Sequence, residues 1–153
     1  MEIKHLKEEI DKLGKDVISD LIKQLLSADK KATGQLINSL KYEVLQTVDQ
    51  VLLKIYASDY FENVDKGRRP GAKQPPIKAI IPWVEIKGIR IKNSSVESTA
   101  FVIARSIGIK GIPALNMKQK VINNIIKTRT ELLQKAFEQD IKENLDQIIK
   151  NIK

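Results

Sequence analysis

The residues best suited to chemistry lie in one basic segment punctuated by glycine and proline. From residue 60 to 76 it is Tyr-Phe-Glu-Asn-Val-Asp-Lys-Gly-Arg-Arg-Pro-Gly-Ala-Lys-Gln-Pro-Pro. The glycines permit backbone angles that other residues resist, and each proline fixes φ, so the pattern predicts a shaped loop. Arginine in such a loop can bind carboxylates in a bidentate manner. We therefore predict a contact with an acidic partner through Tyr60, Phe61, Lys66, Arg68, Arg69 and Lys73.

The positive charge of the chain is concentrated in its middle. The net charge is +8, and residues 66–130 hold fourteen Lys or Arg against only Glu85 and Glu97. Such asymmetry is typical of a chain that meets an acidic protein face or nucleic acid, although a solvated lysine-rich surface is the simpler alternative. We expect Lys78, Arg90 and Arg105 to face the acidic partner or DNA.

Residues that could support catalysis are scarce. His5 is the only histidine, there is no cysteine, and the carboxylates are interleaved with lysines as on solvated helix faces. We expect a solvated His5 and predict no catalytic residues, no metal site and no cofactor, and hence no enzyme. The Gly67–Gly71 segment lacks the Gly-Lys-Ser/Thr end of a phosphate-binding loop. Trp83 and Phe101 lie in amphipathic segments, which favours core positions over base-stacking platforms.

The elements that must position the basic loop are mostly helices. Apolar spacing of three and four predicts long amphipathic helices at both ends, and alternation around residues 40–57 predicts a β-hairpin with a turn at residues 47–50. The fold class is therefore α+β, a small antiparallel hairpin packed with helices. The predicted helices span residues 2–28, 60–66, 77–87, 97–106 and 117–151, with a short extended piece at 89–92.

Glycine and proline mark the expected boundaries. Gly34 breaks the chain after the first helix, Gly88 stops the helix that Pro76 opens, and Gly108 begins a second break that ends at Pro113. Pro82 is expected to kink that helix or shift its start. Gly14 is expected to weaken the first helix mildly.

The chain length of 153 residues predicts one domain, with a core over about 32–116 and helical extensions at 1–31 and 117–153. No apolar run approaches the roughly 20 residues that span a bilayer. The first residues have none of the features of a signal peptide. We expect synthesis in the cytoplasm.

Several short motifs occur in a recognisable order. Thr33-Gly34-Gln35-Leu36 with Ser39 precedes the hairpin, the segment from Asp59 to Gly71 follows it, and then come Trp83-Val84, Ala100–Ile107 and Gly111-Ile112-Pro113. In this order they resemble the neck and tail-completion (head–tail connector) proteins of tailed bacteriophages. The resemblance covers about residues 32–116. It departs from the family after Pro113, where Ala114-Leu115-Asn116 replaces the usual Phe-Leu-x-Pro.

The resemblance implies a structural virion protein without reaction or cofactor. Such a chain forms a six- or twelve-fold ring in the neck and docks to portal, adaptor or tail rings around the DNA channel, where it can touch the genome non-specifically. The residues agree independently, since hairpin edges and long apolar helix stripes need partners. The alternative is a small basic architectural protein that binds nucleic acid through residues 66–130.

Overall fold

A computed structural model describes residues 3–28, 34–47 and 50–152, and it confirms the α+β fold class with long helices at both ends. A π-helical turn at Ile122–Ile126 joins the last two α-helices into one continuous rod. In chain order the elements are α1 (Lys4–Ser27), α2 (Gln35–Ser39), β1 (Lys41–Gln46), β2 (Val51–Tyr56), α3 (Tyr60–Lys66), α4 (Ile77–Lys87), α5 (Val96–Lys110), α6 (Met117–Val121) and α7 (Lys127–Asn151).

The chain groups into two compact units. The first contains the described residues of 1–24, 40–56 and 118–153, and the second those of 25–39 and 57–117. The boundary passes through the core expected at residues 32–116, because the hairpin groups with the terminal helices. That the whole chain acts as one domain stays a prediction.

In the first unit the hairpin rests on a glycine of α1. Strands β1 and β2 pair antiparallel, from Lys41 opposite Tyr56 to Gln46 opposite Val51, as predicted. A Cβ at Gly14 would lie 2.4 Å from the Tyr42 ring, and the Tyr42 hydroxyl donates to Asp11 at 2.9 Å. Gly14 is therefore where the Tyr42 ring packs against the helix. Residues 48 and 49 of the predicted turn lie outside the described ranges.

Helices α1 and α7 of this unit run antiparallel. The carboxylate of Asp140 accepts the backbone N–H groups of His5 at 2.9 Å and Leu6 at 2.8 Å, so a residue of α7 caps the first turn of α1. Further along, Arg129 pairs with Asp16 and lies 3.6 Å from Glu9. These contacts at both ends hold the two helices side by side.

His5 is not the solvated side chain that its helix face predicted. Its ring Nε2 lies 3.0 Å from the Glu143 carboxylate and 3.1 Å from the Gln139 amide, and the residue is half-buried. The contacts come from α7, a neighbour that the local pattern of α1 does not reveal.

In the second unit the helix ends differ in part from expectation. Helix α4 begins at Ile77 and continues through Pro82, so the proline does not shift its start, and Gly88 ends it at φ +62° as predicted. Helix α5 runs through Gly108 to Lys110, and the predicted break at Gly108 is wrong. Gly108 is buried, and a Cβ there would lie 3.4 Å from Gln74, so close packing rather than a turn explains this glycine.

Two short segments differ in part from expectation. Residues 89–91 of the predicted extended piece belong to no helix or strand, and a turn begins at Lys92, where the Ser94 N–H donates to the Ile91 carbonyl at 3.0 Å. Residues 35–39, expected only as an approach to the hairpin, form the short helix α2.

Candidate partner-docking surface

The basic loop is fixed by backbone hydrogen bonds to residues that are distant in sequence. The Arg68 N–H donates to the Ile112 carbonyl at 2.8 Å, and the Ile112 N–H donates back to Arg68 at the same distance. The Gly71 N–H donates to the Gly108 carbonyl at 2.9 Å, on the last turn of α5. The loop is therefore shaped, as its glycines and prolines predicted.

Two glycines make this close approach possible. Gly67 has φ +65° and ψ −158°, and Gly111 has φ +73° and ψ −168°, a backbone region that only glycine adopts without strain. A Cβ at Gly67 would lie 2.4 Å from the Ile112 carbonyl oxygen, and one at Gly111 would lie 2.2 Å from that of Arg68. Both positions therefore require the smallest residue.

The end of the neighbouring helix is joined to the same structure by Asp65. Its backbone carbonyl accepts the Asn116 N–H at 3.0 Å, and its buried carboxylate accepts the Met117 N–H at the start of α6. This carboxylate caps α6 across the fold. The sequence placed Asp65 in the motif but gave it no role.

The predicted contact residues divide into two groups. Arg68 is half-buried, donates through Nη2 to the Lys73 carbonyl, and keeps a buried Nε with no partner among the described residues. Phe61 is buried as well, so these two side chains contribute to the shape of the loop rather than to its exposed surface. The exposed members of the predicted set are Tyr60, Lys66, Arg69 and Lys73.

The exposed cations of this unit are largely unpaired. Lys66 lies 3.0 Å from Glu62. Across residues 3–28, 34–47 and 50–152, no carboxylate lies within ion-pair distance of Arg69, Lys73, Lys78, Arg90 or Arg105.

Two of these cations sit in informative places. Lys78 lies in the first turn of α4, where a positive charge opposes the helix dipole and does not stabilise the helix. The pKa of Glu97 is held below its usual value by a backbone N–H and the Ser95 hydroxyl, and to a lesser degree by the charge of Arg90. Lys78 is therefore not placed to stabilise its helix, and Arg90, which lies between α4 and α5, interacts only weakly with Glu97.

Trp83 and Phe101 are not core residues, which corrects the prediction. Trp83 is 37% exposed and Phe101 is 44% exposed. The buried positions of α4 and α5 belong to smaller residues, namely Val84, Thr99, Ala100 and Ala104. Small residues let two helices approach closely, so the large side chains point outward. The spacing of Ala100 and Ala104 is the signal that identifies the inner face of α5.

No group of His, Asp or Glu side chains in the described part of the chain is placed to hold a metal ion. Of the helices in the described ranges, none combines the length and the apolar character needed to cross a membrane. No protein-family model matches the chain, and neither curated proteins nor solved structures give a match.

Proposed function

We propose that this chain is a structural protein of a tailed-phage virion, a subunit of a ring in the head–tail connector. The observation that carries the proposal is the fixed basic loop, which holds the unpaired cations Arg69 and Lys73 at the surface. A rigid loop loses little conformational entropy when it binds, so its charges are pre-organised for an acidic surface of a neighbouring ring.

The residues that carry the resemblance support the proposal by their local contacts. Gly67 and Gly111 admit the close backbone pairing, and Asp65 caps α6. The ordered motifs at residues 59–71 and 111–113 thus belong to one structure, a loop that is fixed at the surface.

Exposed apolar side chains support self-association. On α7 and the residue after it, Leu145, Ile148, Ile149 and Ile152 are exposed, and on β2 so are Leu52 and Ile55. Apolar patches of this kind mark protein interfaces. In the proposed ring, apolar faces join identical subunits, and the cationic loop contacts the adjacent portal, adaptor or tail ring.

The test is the morphology of phage particles assembled without this chain. Electron microscopy of an amber mutant should show DNA-filled heads and separate tails, and supplying the wild-type chain in trans should restore joined particles. Infectious, complete virions that lack the chain would overturn the proposal.

A second candidate function rests on the exposed aromatic side chains. Trp83 and Phe101 lie on the unit that also carries the unpaired cations, and this combination suits base stacking in an architectural nucleic-acid-binding protein. The measurement that separates the two functions is DNA affinity against salt, since phosphate-driven binding falls steeply as salt rises. Binding tighter than about 1 μM at physiological salt, weakened by Trp83→Ala, would favour the second function.

A further inference from the structure

The last turns of α7 extend beyond the helix on which α7 packs. Asp140 meets the first turn of α1, and Glu143 lies 3.0 Å from the ring of His5, near the start of α1 at Lys4. Because the two helices are antiparallel, residues 144–151 continue past that end. This overhang, eight residues of helix, is about 12 Å long.

The overhang carries an exposed apolar stripe. Leu145, Ile148, Ile149 and Ile152 follow a spacing of three, four and seven residues, which puts them on one helix face. Their exposed fractions are 53%, 56%, 57% and 79%. Asp146 lies directly beside this stripe in the sequence.

The same unit has a shallow, open apolar groove near the other end of the region where α1 and α7 are in contact. The groove lies between α1 and Tyr42 of β1, and Ile18 and Ile22 form its half-buried floor. Ser19, Lys15 and Lys23 line its edge. Along α1 the groove begins at Lys15, about 16 Å from Lys4, so it is well separated from the overhang.

We infer that the overhang of one copy docks into the groove of the next copy, which deepens the proposed function by assigning its subunit contact. The stripe from Leu145 to Ile152 is about 10 Å long, and the groove from Lys15 to Lys23 is about 12 Å long. Asp146 brings a carboxylate to a groove edged by two lysines, and Lys150, the other charged residue of the overhang, lies farther round the helix from the stripe. Of these, Lys15 is 2.7 Å from Asp11, whereas Lys23 has no ion pair among the described residues.

This contact is heterologous, because the two surfaces differ and lie apart on each subunit. A head-to-tail contact generates a ring if the rotation closes and a filament if it does not. The alternative is an isologous pair, in which the apolar stripes of two overhangs pack against each other. The two arrangements give different results in a mixing experiment.

The experiment uses four forms of the full-length chain, examined by sedimentation equilibrium. The overhang variant is Ile148→Asp with Ile149→Asp, and its matched control is Gln147→Asp with Asn151→Asp, which adds equal charge to exposed polar positions of the same helix. The groove variant is Ser19→Glu with Lys23→Glu, both at exposed positions. Wild type completes the set.

We expect the overhang and groove variants each to raise the dissociation constant for self-association by about 100-fold, through lost apolar burial and reversed charge. The control should associate like wild type. In a mixture of the two variants, the intact groove of one should accept the intact overhang of the other. The product should be a 1:1 dimer that grows no further.

Three results would overturn the inference. One is a groove variant that associates like wild type, as isologous pairing of overhangs requires. Another is a mixture that yields no dimer. The third is a wild-type chain that remains monomeric at the highest concentration tested. Each leaves the phage-particle phenotype as a separate test, so this contact can fail while the proposed function stands.

Discussion

At the residue scale, close packing depends on glycines, because a neighbouring group occupies the space that a side chain would fill. At Gly14 the neighbour is the Tyr42 ring, and at Gly111 it is the Arg68 carbonyl. Composition alone marks such glycines as weak points or breaks, because the neighbour that fills the space comes from elsewhere in the chain. This is why the sequence assigned Gly108 to a turn, although its loop-forming neighbour Gly111 was placed correctly.

Gly111→Ala should destabilise the fold by about 3 kcal/mol, because it combines backbone strain with a Cβ that meets the Arg68 carbonyl. Gly71→Ala is the matched control, since Gly71 also has a positive φ of +76° but has open space around it. The control should cost about 1 kcal/mol. Urea denaturation measures both free energies of unfolding, and equal losses would mean that the close approach is unimportant.

The hydrogen bond between Tyr42 and Asp11 should make hairpin docking depend on pH. Lys15 and then Tyr42 lower the pKa of Asp11 from its usual 3.8, while Asp11 raises the pKa of Tyr42 above 10.0. A lowered acid pKa stabilises the fold above about pH 4 and loses this effect as pH falls through the folded pKa. A raised tyrosine pKa stabilises below about pH 10 and loses this effect as pH rises through the folded pKa.

Tyr42→Phe should therefore lower the free energy of unfolding between about pH 4 and about pH 10. At lower and higher pH the variant and the wild type should become equally stable. It should also move the pKa of Asp11 upward, as a carboxyl-detected NMR titration would show. The control is Tyr56→Phe, whose hydroxyl donates to Glu43 at 2.9 Å and makes no bond to Asp11. An unchanged Asp11 titration in Tyr42→Phe would contradict the assignment.

At the element scale, most of the fold was predictable from periodicity and punctuation. Helices α1, α3 and α4 and both strands appear where apolar spacing, Pro76 and Gly88 placed them. The π-helical turn at Ile122–Ile126 was not predicted, because its residues are types that also occur in ordinary α-helices. The outward position of Trp83 was missed because the packing of small residues between α4 and α5 is a tertiary effect.

Asp140→Ala should cost about 2 kcal/mol, because the buried carboxylate caps two N–H groups at the start of α1. Asp146→Ala, an exposed change on the same helix, should cost under about 0.5 kcal/mol. Hydrogen exchange should show faster opening of the first turn of α1 in the first variant alone. Protection that is equal in both variants would exclude the capping role.

At the scale of the whole molecule, exposed cations and exposed apolar side chains occur on both units. The second unit carries Arg69 and Lys73 together with the exposed Trp83 and Phe101, and the first carries Lys23 and the exposed stripe of α7. The high density of Lys and Arg in residues 66–130 predicted where the cations lie and that most of them are exposed. It could not separate Arg68, which is bonded into its own loop, from Arg69, which is free to meet a partner.

Under the proposed connector function, Arg69→Glu with Lys73→Glu should leave the melting temperature unchanged and abolish joining of heads to tails, because both side chains are exposed and the new carboxylates would repel the proposed acidic neighbour. Lys120→Glu with Lys127→Glu, at exposed positions of α6 and α7, adds the same charge elsewhere and should join normally. Particle counts by electron microscopy decide the matter. If the loop variant joins as well as this control, the loop is only a solvated turn.

The reciprocal pairing of Arg68 with Ile112 also has an evolutionary consequence. The chain leaves this point at residue 69 and returns to it at residue 111, so helices α4 and α5 form a cassette whose two ends are already adjacent. Insertions or exchanges between closely spaced ends leave the surrounding backbone undisturbed. Relatives of this protein could therefore diversify through the cassette, by lengthening or replacing it, while the paired residues Arg68 and Ile112 at its base stay constant.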